Sequence, residues 1–131
     1  MNKNIKNRVS LSLDSYLVEV NKHSLQTVEE QTELAHRIKE GDEEALAQLI
    51  TGNLRFVVSV AKQYQHRGKS MEDLIEAGNK GLELAAKKFN PQRGFKFIAY
   101  AVWFIRASIL AFLETSTNSI NLSELTVEEI R

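Results

Sequence analysis

Apolar residues recur along this chain with the period of an α-helix. Spacings of i, i+3, i+4 and i+7 place side chains on one face of a helix, whereas strict alternation is typical of a strand. The first helical set is Leu13, Tyr16, Leu17 and Val20. Because similar spacings continue through most of the sequence and no segment alternates, the pattern predicts an all-α fold, a compact helical bundle.

Capping signals and glycines divide the first half of this pattern into separate helices. Thr27 and Glu30 form a capping box, and Gly41 ends the helix of about three turns that follows. Asp42 is suited to cap the next helix. The apolar period then continues until Gly68, which predicts that helical structure extends to this glycine.

The second half contains two longer helices. Ser70, with Asp73 three residues later, is the capping signal of the first of them. Residues 90–94 then break the chain, because Pro91 disfavours helical backbone in the residue before it. A last long helix is predicted for residues 97–114.

The length of 131 residues is enough for one hydrophobic core and too short to expect two. Residues 1–10 are polar and lack periodicity, so we predict a flexible arm. Residues 11–122 are predicted to form a single domain that ends in a polar loop. Residues 123–131 are predicted to begin a following segment that the chain end truncates.

Composition excludes several classes of protein. Hydrophobic residues make up 43% of the chain and charged residues 26%, as in ordinary globular proteins. No run approaches the roughly 18 consecutive apolar residues of a membrane helix, and the N-terminus lacks the apolar run of a signal peptide. The sequence therefore predicts a cytoplasmic protein with no membrane partner. It contains no cysteine, which excludes disulfides and thiolate metal sites.

Charge is distributed unevenly, although the formal net charge is zero. Residues 1–106 carry 16 Lys and Arg against 13 Asp and Glu, whereas residues 107–131 carry only Arg131 against four Glu. The last fifth of the chain therefore repels phosphate. A DNA-binding domain usually has a basic excess, and the total charge of this chain does not show one.

Catalytic and metal-binding motifs are absent from the sequence. His23, His36 and His66 are far apart and lack the i, i+4 spacing that presents two ligands to one metal ion. Neither a phosphate-binding glycine loop nor a nucleophile motif occurs. We therefore predict a protein that is not an enzyme and that needs no metal and no cofactor.

Residues 93–106 stand out because basic side chains are interspersed among aromatic ones there. Five of the chain's ten aromatic residues lie in this segment: Phe95, Phe97, Tyr100, Trp103 and Phe104. Three cations lie among them: Arg93, Lys96 and Arg106. Unpaired bases stacked on such rings, with cations on the phosphates, are the basis of single-stranded nucleic acid binding. An aromatic stripe at helical spacing is more often the buried face of a helix, so the spacing alone leaves both interpretations open.

Several motifs in this chain resemble those of bacterial RNA polymerase sigma factors of the housekeeping type, the sigma-70 family. RGFKFIAYAVWFIR, residues 93–106, resembles the RGxKFxxYAxWxIR signature of the promoter-melting region. DLIEAGNKGL, residues 73–82, resembles the polymerase-docking stretch, and NLRFVVSVAK, residues 53–62, a conserved helix. LDSYLVEV and TVEEQTELAHRIKEGD resemble region 1.2, the segment before them. The resemblance implies an all-helical fold like that of sigma factor domain 2.

The function implied by this resemblance is to bind core RNA polymerase and to recognise and melt the promoter −10 element. Sigma factors of this family flip an adenine out of the stack, which costs a few kcal/mol. By motif position, the adenine pocket would be lined by Arg93, Phe95, Ala99, Tyr100 and Trp103. Trp103 and Phe104 would form a wedge, and Lys96 and Arg106 would hold phosphate. A second base would be held by Asn53, Phe56 and Ile98. The implied contacts with the single-stranded −10 element are Asn53, Phe56, Arg93, Phe95, Lys96, Phe97, Ile98, Tyr100, Trp103, Phe104 and Arg106.

The resemblance also implies a partner surface on the helix that follows Ser70. The partner would be the clamp coiled-coil of the beta-prime subunit of core RNA polymerase. Helix packing is a competing interpretation for the two apolar members of this set. The implied polymerase-binding residues are Asp73, Leu74, Ile75, Glu76 and Asn79.

The chain departs from the family pattern at several positions. Phe104 replaces the second tryptophan of the wedge, Ala99 replaces a threonine, and Ala77 replaces a carboxylate that is common in the docking stretch. Where the family has a basic run, residues 116–119 are SerThrAsnSer. Direct readout of the upstream duplex edge should be absent, since the residues there cannot donate to a base or neutralise a phosphate. These residues are Ala107, Leu110 and Ala111.

Three functions therefore remain open from the sequence. The first is an initiation factor domain that still melts promoter DNA. The second is a sigma-like interaction protein, or competitor, that binds polymerase but has weakened promoter recognition. The third is a helical bundle with no polymerase role. The family's downstream domains do not follow before Arg131, and the sequence leaves open whether the chain is a fragment or a complete small paralogue.

Overall fold

The computed structural model describes residues 13–93 and 96–115, and this part of the chain consists of α-helices and short 3-10 turns. The all-α prediction is confirmed. The predicted arm at 1–10, the loop at 116–122 and the segment at 123–131 lie outside the described residues. The helices are α1 (13–22), α2 (Val28–Lys39), α3 (Glu43–Thr51), α4 (Leu54–Ala61), α5 (Met71–Lys88) and α6 (Phe97–Thr115).

The predicted caps of α2 and α3 are confirmed. The Thr27 hydroxyl accepts a hydrogen bond from the Glu30 amide at 3.0 Å, and the Glu30 carboxylate accepts one from the Thr27 amide at 2.8 Å. Gly41, at φ +92°, supplies the left-handed turn after α2. The hydrogen bond from the Ala45 amide, with the nearby Arg37 guanidinium, lowers the pKa of the Asp42 carboxyl below its usual value.

The helix predicted up to Gly68 is shorter than expected. α4 ends at Ala61, and a 3-10 turn at Lys62–Tyr64 follows it. The next residues are polar, and the left-handed backbone at His66 (φ 68°) and Gly68 (φ 91°) is incompatible with a continuing helix. The prediction was therefore wrong for the residues directly before Gly68.

The predicted boundaries of the two long helices are close to those of the structure. The Ser70 hydroxyl accepts a hydrogen bond from the Asp73 amide at 3.1 Å and caps α5. Pro91 begins a 3-10 turn, Pro91–Arg93, between α5 and α6. α6 is described from Phe97 to Thr115 and therefore covers the whole predicted range of 97–114.

The core lies between α5, α6 and the three helices before them. α5 and α6 pack most closely at Gly81, where a β-carbon would collide with the carbonyl oxygen of Phe104 and lie 2.7 Å from Ser108 Oγ. α6 contributes four side chains of 0% exposure, those of Phe97, Ala101, Ile105 and Ile109. The largest fully buried side chains are Leu49, Val57, Leu74, Leu82, Phe97, Ile105 and Ile109.

Side-chain amides fix the N-terminal helices to this core. Gln26 Nε2 donates to the Gln48 carbonyl at 2.9 Å, and Gln26 Oε1 accepts from Asn53 Nδ2 at 3.0 Å. These bonds join the segment before α2 to the junction of α3 and α4. Asn79 Nδ2 donates to the Tyr16 hydroxyl at 3.2 Å and thereby joins α5 to α1.

α6 also meets the length and mean-hydropathy criteria for a membrane span. Its mean hydropathy is 1.7, and within the described part of the chain it is the one helix that meets them. The sequence prediction, which rested on consecutive apolar residues, did not anticipate this. The apolar character has a structural explanation, because one face of α6 packs against α4 and α5 while the opposite face carries exposed cations.

The close packing at Gly81 predicts that alanine at this position destabilises the protein, which is the opposite of its usual effect in a helix interior. Alanine usually stabilises a helix interior over glycine by about 0.5–1 kcal/mol. We expect Gly81→Ala to lower the free energy of unfolding by about 1–3 kcal/mol instead, because the added methyl must displace the α6 backbone. Urea unfolding followed by circular dichroism checks this, with Lys80→Ala at the exposed neighbouring position as control. A stabilised Gly81→Ala protein would show that the two helices do not pack this closely.

Candidate nucleic-acid interface

Four exposed residues of α6, together with Lys96 directly before the helix, form one stripe. Lys96, Ala99, Trp103, Arg106 and Leu110 are all exposed, and their spacing of three and four residues places them on the same side of the helix. Two cations therefore flank the exposed indole of Trp103, whose exposure is 42%. We call these five residues the exposed stripe of α6.

Tyr100 and Phe104 border the exposed stripe and are half-buried. Their ring centroids are 4.9 Å apart. Tyr100 also packs at 5.8 Å against Phe89, the residue after α5, which meets the Phe97 ring edge-on at 5.1 Å. This aromatic cluster connects the end of α5 to the start of α6 and holds Tyr100 in a defined position.

A cavity of about 420 Å³ opens beside Tyr100. It has an aromatic wall and a polar rim that contains three basic side chains and one amide. The Asn90 carboxamide oxygen on this rim accepts a hydrogen bond from the Gln92 amide at 3.0 Å. Partial burial raises the pKa of the Tyr100 hydroxyl, although the charge of Arg93 acts in the opposite direction. The lining residues of this Tyr100 cavity are Lys39, Lys88, Phe89, Asn90, Arg93 and Tyr100.

Most of the described residues expected to contact DNA lie on the first half of α6 or on the turn before it. Arg93 and Tyr100 line the Tyr100 cavity, and Trp103 lies on the exposed stripe of α6 with Lys96 and Arg106. Phe104 is half-buried against Tyr100, so Trp103, at 42% exposure, is the most exposed of the described aromatic residues in this segment. Phe56 and Ile98 are half-buried, and Phe95 lies outside the described residues.

Two of the residues expected to contact DNA are buried in the structure. Phe97 has 0% exposure and packs against Phe89 in the core, so its ring cannot stack on a base. Asn53 has 1% exposure, and its amide nitrogen donates to Gln26 Oε1 and to the Leu49 carbonyl. In this structure Asn53 fixes the junction of α3 and α4, and it is not available to a base.

The expected polymerase-binding residues also divide into buried and exposed ones. Leu74 and Ile75, with exposures of 0% and 5%, belong to the core, which agrees with helix packing, the competing interpretation for these two residues. Asp73 and Glu76 are exposed and lie on the rim of a cavity of about 330 Å³ between α5 and α6. Asn79 is half-buried and bonded to Tyr16.

The three alanine and leucine positions that depart from the family pattern differ in exposure. Ala107 and Ala111 are 4% and 6% exposed and face the packed side of α6. Leu110, at 37% exposure, is the one of the three that faces solvent. The loss of a polar contact at this surface therefore rests on Leu110, not on all three residues as the sequence suggested.

Sequence reasoning missed three residues of the Tyr100 cavity that carry polar or charged groups: Lys39, Lys88 and Asn90. Lys88 and Asn90 are close to the aromatic segment and could have been included on proximity alone. Lys39 lies on α2, more than fifty residues before Tyr100, and no local signal connects the two. Only the packing of α2 onto α5 brings Lys39 to this place.

No metal site is present among the described residues, since no group of three His, Asp or Glu side chains converges there. His23, His36 and His66 are exposed and belong to different segments. The chemistry available at the Tyr100 cavity is therefore that of ring stacking, hydrogen bonding and cationic attraction.

Comparison with known proteins identifies the family of this chain. The family model for sigma-70 region 2 matches residues 49–118, and that for region 1.2 of sigma-70 factors matches residues 12–44. The RNA polymerase sigma-C factor of Myxococcus xanthus is 49% identical over 98 residues, which are 75% of this chain and 33% of that protein. The chain thus spans about a third of the length of this curated relative. The region 2 model matches more than half of the residues of this chain, and the chain therefore belongs to the sigma-70 family.

Proposed function

We propose that this chain is the part of a transcription initiation factor that binds core RNA polymerase and recognises and melts the promoter −10 element. The observation that carries the proposal is the placement of Trp103. In a sigma-70 family chain, its indole is exposed between Lys96 and Arg106 and lies next to the Tyr100 cavity. Such a surface suits an unpaired strand whose bases have left the stack.

The energetics support this use of the surface. Flipping a base out of a duplex costs a few kcal/mol, and stacking on an aromatic side chain returns about 1–3 kcal/mol per base. Trp103 offers a stacking face outside the helix, while Tyr100 offers a second ring inside the cavity. Each stacked base would offset much of the cost of its own extrusion.

Capture of DNA by this chain depends on polymerase. The chain as a whole is neutral, so it lacks the long-range attraction that brings most DNA-binding proteins to phosphate. The cations at the exposed stripe and the Tyr100 cavity act only at short range, because salt screens charges beyond about 10 Å. We therefore propose that polymerase holds the chain next to already distorted DNA.

The polymerase contact is proposed for the exposed carboxylates of α5. Asp73 and Glu76 lie on the same face near the N-terminus of this helix, with the half-buried Asn79 one turn later. This acidic rim is complementary to a basic partner, and the clamp coiled-coil of the beta-prime subunit is the proposed one. Leu74 and Ile75 support it from inside as core residues.

A second function has one specific observation in its favour. Leu110 places an apolar side chain on the exposed stripe of α6, where a polar or basic residue would contact duplex DNA. A chain with this change could bind polymerase and compete for it without full promoter recognition. Capture of core polymerase without crosslinking to a fork-junction promoter probe would favour this competitor, whereas crosslinking at Trp103 would favour the initiation factor.

Removal of the exposed indole tests strand capture. We expect Trp103→Ala, in complex with core polymerase, to weaken binding of a single-stranded −10 oligonucleotide by about 1–3 kcal/mol, the value of one stacked base. Fluorescence anisotropy measures the change. Leu84→Ala is the matched control, since Leu84 is similarly exposed, at 37%, but lies on α5 outside the exposed stripe of α6. Equal affinities of Trp103→Ala and wild type would contradict base stacking on α6.

Reversal of one carboxylate charge tests the polymerase surface. We expect Glu76→Lys to weaken binding of core polymerase about tenfold or more, because it removes a charge-assisted contact of roughly 1.5 kcal/mol. Glu83→Lys, on the same helix outside the acidic rim, should bind as wild type does. A titration of labelled chain with polymerase gives both affinities, and an unaffected Glu76→Lys protein would place the polymerase contact elsewhere.

A further inference from the structure

A cavity of about 260 Å³ lies between the start of α1 and the N-terminal half of α5. It has an apolar wall with side chains from both helices and a polar wall from α5 alone. The hydrogen bond of 3.2 Å from Asn79 Nδ2 to the Tyr16 hydroxyl joins the two walls. The lining residues, which we call the α1–α5 surface, are Leu13, Tyr16, Glu72, Ile75, Glu76 and Asn79.

The negative charge at this surface has no cationic partner among the described residues. Glu72, Asp73 and Glu76 lie close together on α5, and no ion pair of the described chain includes any of them. No cation lines the cavity. The carboxamide oxygen of Asn79 is buried and accepts no hydrogen bond from the described residues. The surface therefore has unpaired acceptors for cations and for N–H donors.

The dipole of α5 explains only part of this charge. A helix N-terminus carries about half a positive charge, which favours Glu72 and Asp73 in the first turn. Glu76 lies beyond the first turn, where this effect has declined. Three carboxylates against about half a positive charge leave an excess of about two and a half negative charges.

The chain itself has a complementary segment that begins at this cavity. Residues 1–12, which we call the basic arm, carry Lys3, Lys6 and Arg8 and no acidic residue. The arm joins α1 at Leu13, which lines the cavity. Arg8 is five residues before Leu13, a distance of at most about 18 Å in an extended chain. The cations of the arm are therefore tethered within reach of the carboxylates.

We infer that the basic arm docks on the α1–α5 surface and competes with polymerase for Glu76. Glu76 lines this cavity and also the cavity between α5 and α6, whose acidic rim is the proposed polymerase contact. An arm cation paired with Glu76 therefore withholds this carboxylate from polymerase. The competition rests on the proposed function, whereas the docking of the arm does not.

Charge selects the basic arm over the other end of the chain. Residues 116–131 carry three Glu against one Arg, so the carboxylates of α5 repel them. Tethering at Leu13 gives the basic arm a high effective concentration at the surface without any further contact. Each exposed ion pair favours the docked arm by at most about fivefold, so polymerase can displace it.

A spin label on the full chain tests the docking. The chain contains no cysteine, so a nitroxide on Asn4→Cys labels the arm alone, and we expect it to broaden the amide NMR signals of Glu72 and Glu76. Salt raised from about 0.1 M to 1 M should reduce the broadening, because the screening length falls from about 10 Å to 3 Å. Glu72→Gln combined with Glu76→Gln should reduce it at low salt. Glu83→Gln, on the same helix outside the surface, should not.

Two results would overturn the docking. Equal broadening in the double variant and in Glu83→Gln would mean that the tether at Leu13 alone brings the label close. Broadening between chains, in a mixture of spin-labelled and isotope-labelled protein, would place the arm of a second copy on the surface. Salt-sensitive broadening within one chain, with none between chains, supports the docking.

Neutral side chains in the arm test the competition. We expect the combined variant Lys3→Gln, Lys6→Gln and Arg8→Gln to bind core polymerase about three- to tenfold more tightly at low salt, because it loses the competing docked state. Lys22→Gln, at the other end of α1, should bind as wild type does. A titration of labelled chain with polymerase gives these affinities. Unchanged or weaker binding by the arm variant would overturn the competition.

Failure of the proposed function gives a different result from failure of this inference. If the chain does not bind polymerase, neither wild type nor the arm variant is captured, and the competition is overturned, while salt-sensitive broadening at Glu72 still supports the docking. If only the inference is wrong, wild type binds polymerase, the arm variant binds equally well, and the broadening does not depend on the carboxylates of α5.

Discussion

The close approach of α5 and α6 at Gly81 determines which face of α6 meets solvent. α6 is apolar on most of its circumference, with a mean hydropathy of 1.7, so its own pattern specifies a rotation about the helix axis only weakly. Gly81 lets the backbone at Phe104 and the Ser108 side chain rest directly on α5. This contact leaves Trp103 on the outside, and every role proposed for the aromatic segment follows from that orientation.

Local signals in the sequence were sufficient for most of the fold. Thr27, Asp42 and Ser70 cap helices in the structure as their spacing predicted, because a capping bond involves residues only three apart. The position at which α4 ends was predicted wrongly. The apolar period continues to Tyr64, but the left-handed turn at His66 and Gly68 ends regular structure before the glycine itself.

The site was predictable where exposure follows from helical spacing and not where it depends on distant packing. Trp103 and Arg106 lie three apart and are both exposed, as residues on one face of a helix should be. Phe97 has the same aromatic character, but its ring turns inward to meet Phe89. Asn53 is hydrogen-bonded to Gln26, and Lys39 lines the cavity because α2 packs beside it. Both placements depend on residues distant in the sequence, so neither could be predicted from the adjacent residues.

The two proposed binding surfaces lie at opposite ends of α5, and this separation lets a neutral domain serve both. Asp73 in the first turn and Lys88 in the last are about 22 Å apart along the axis at 1.5 Å per residue. That distance exceeds the screening length of about 10 Å in 0.1 M salt, so the acidic rim does not cancel the cationic cavity. Because α5 is a single uninterrupted helix, polymerase held at one end would fix the position of the cavity at the other. A chain whose charges cancel in total can therefore present a basic surface to DNA at the place where polymerase delivers it.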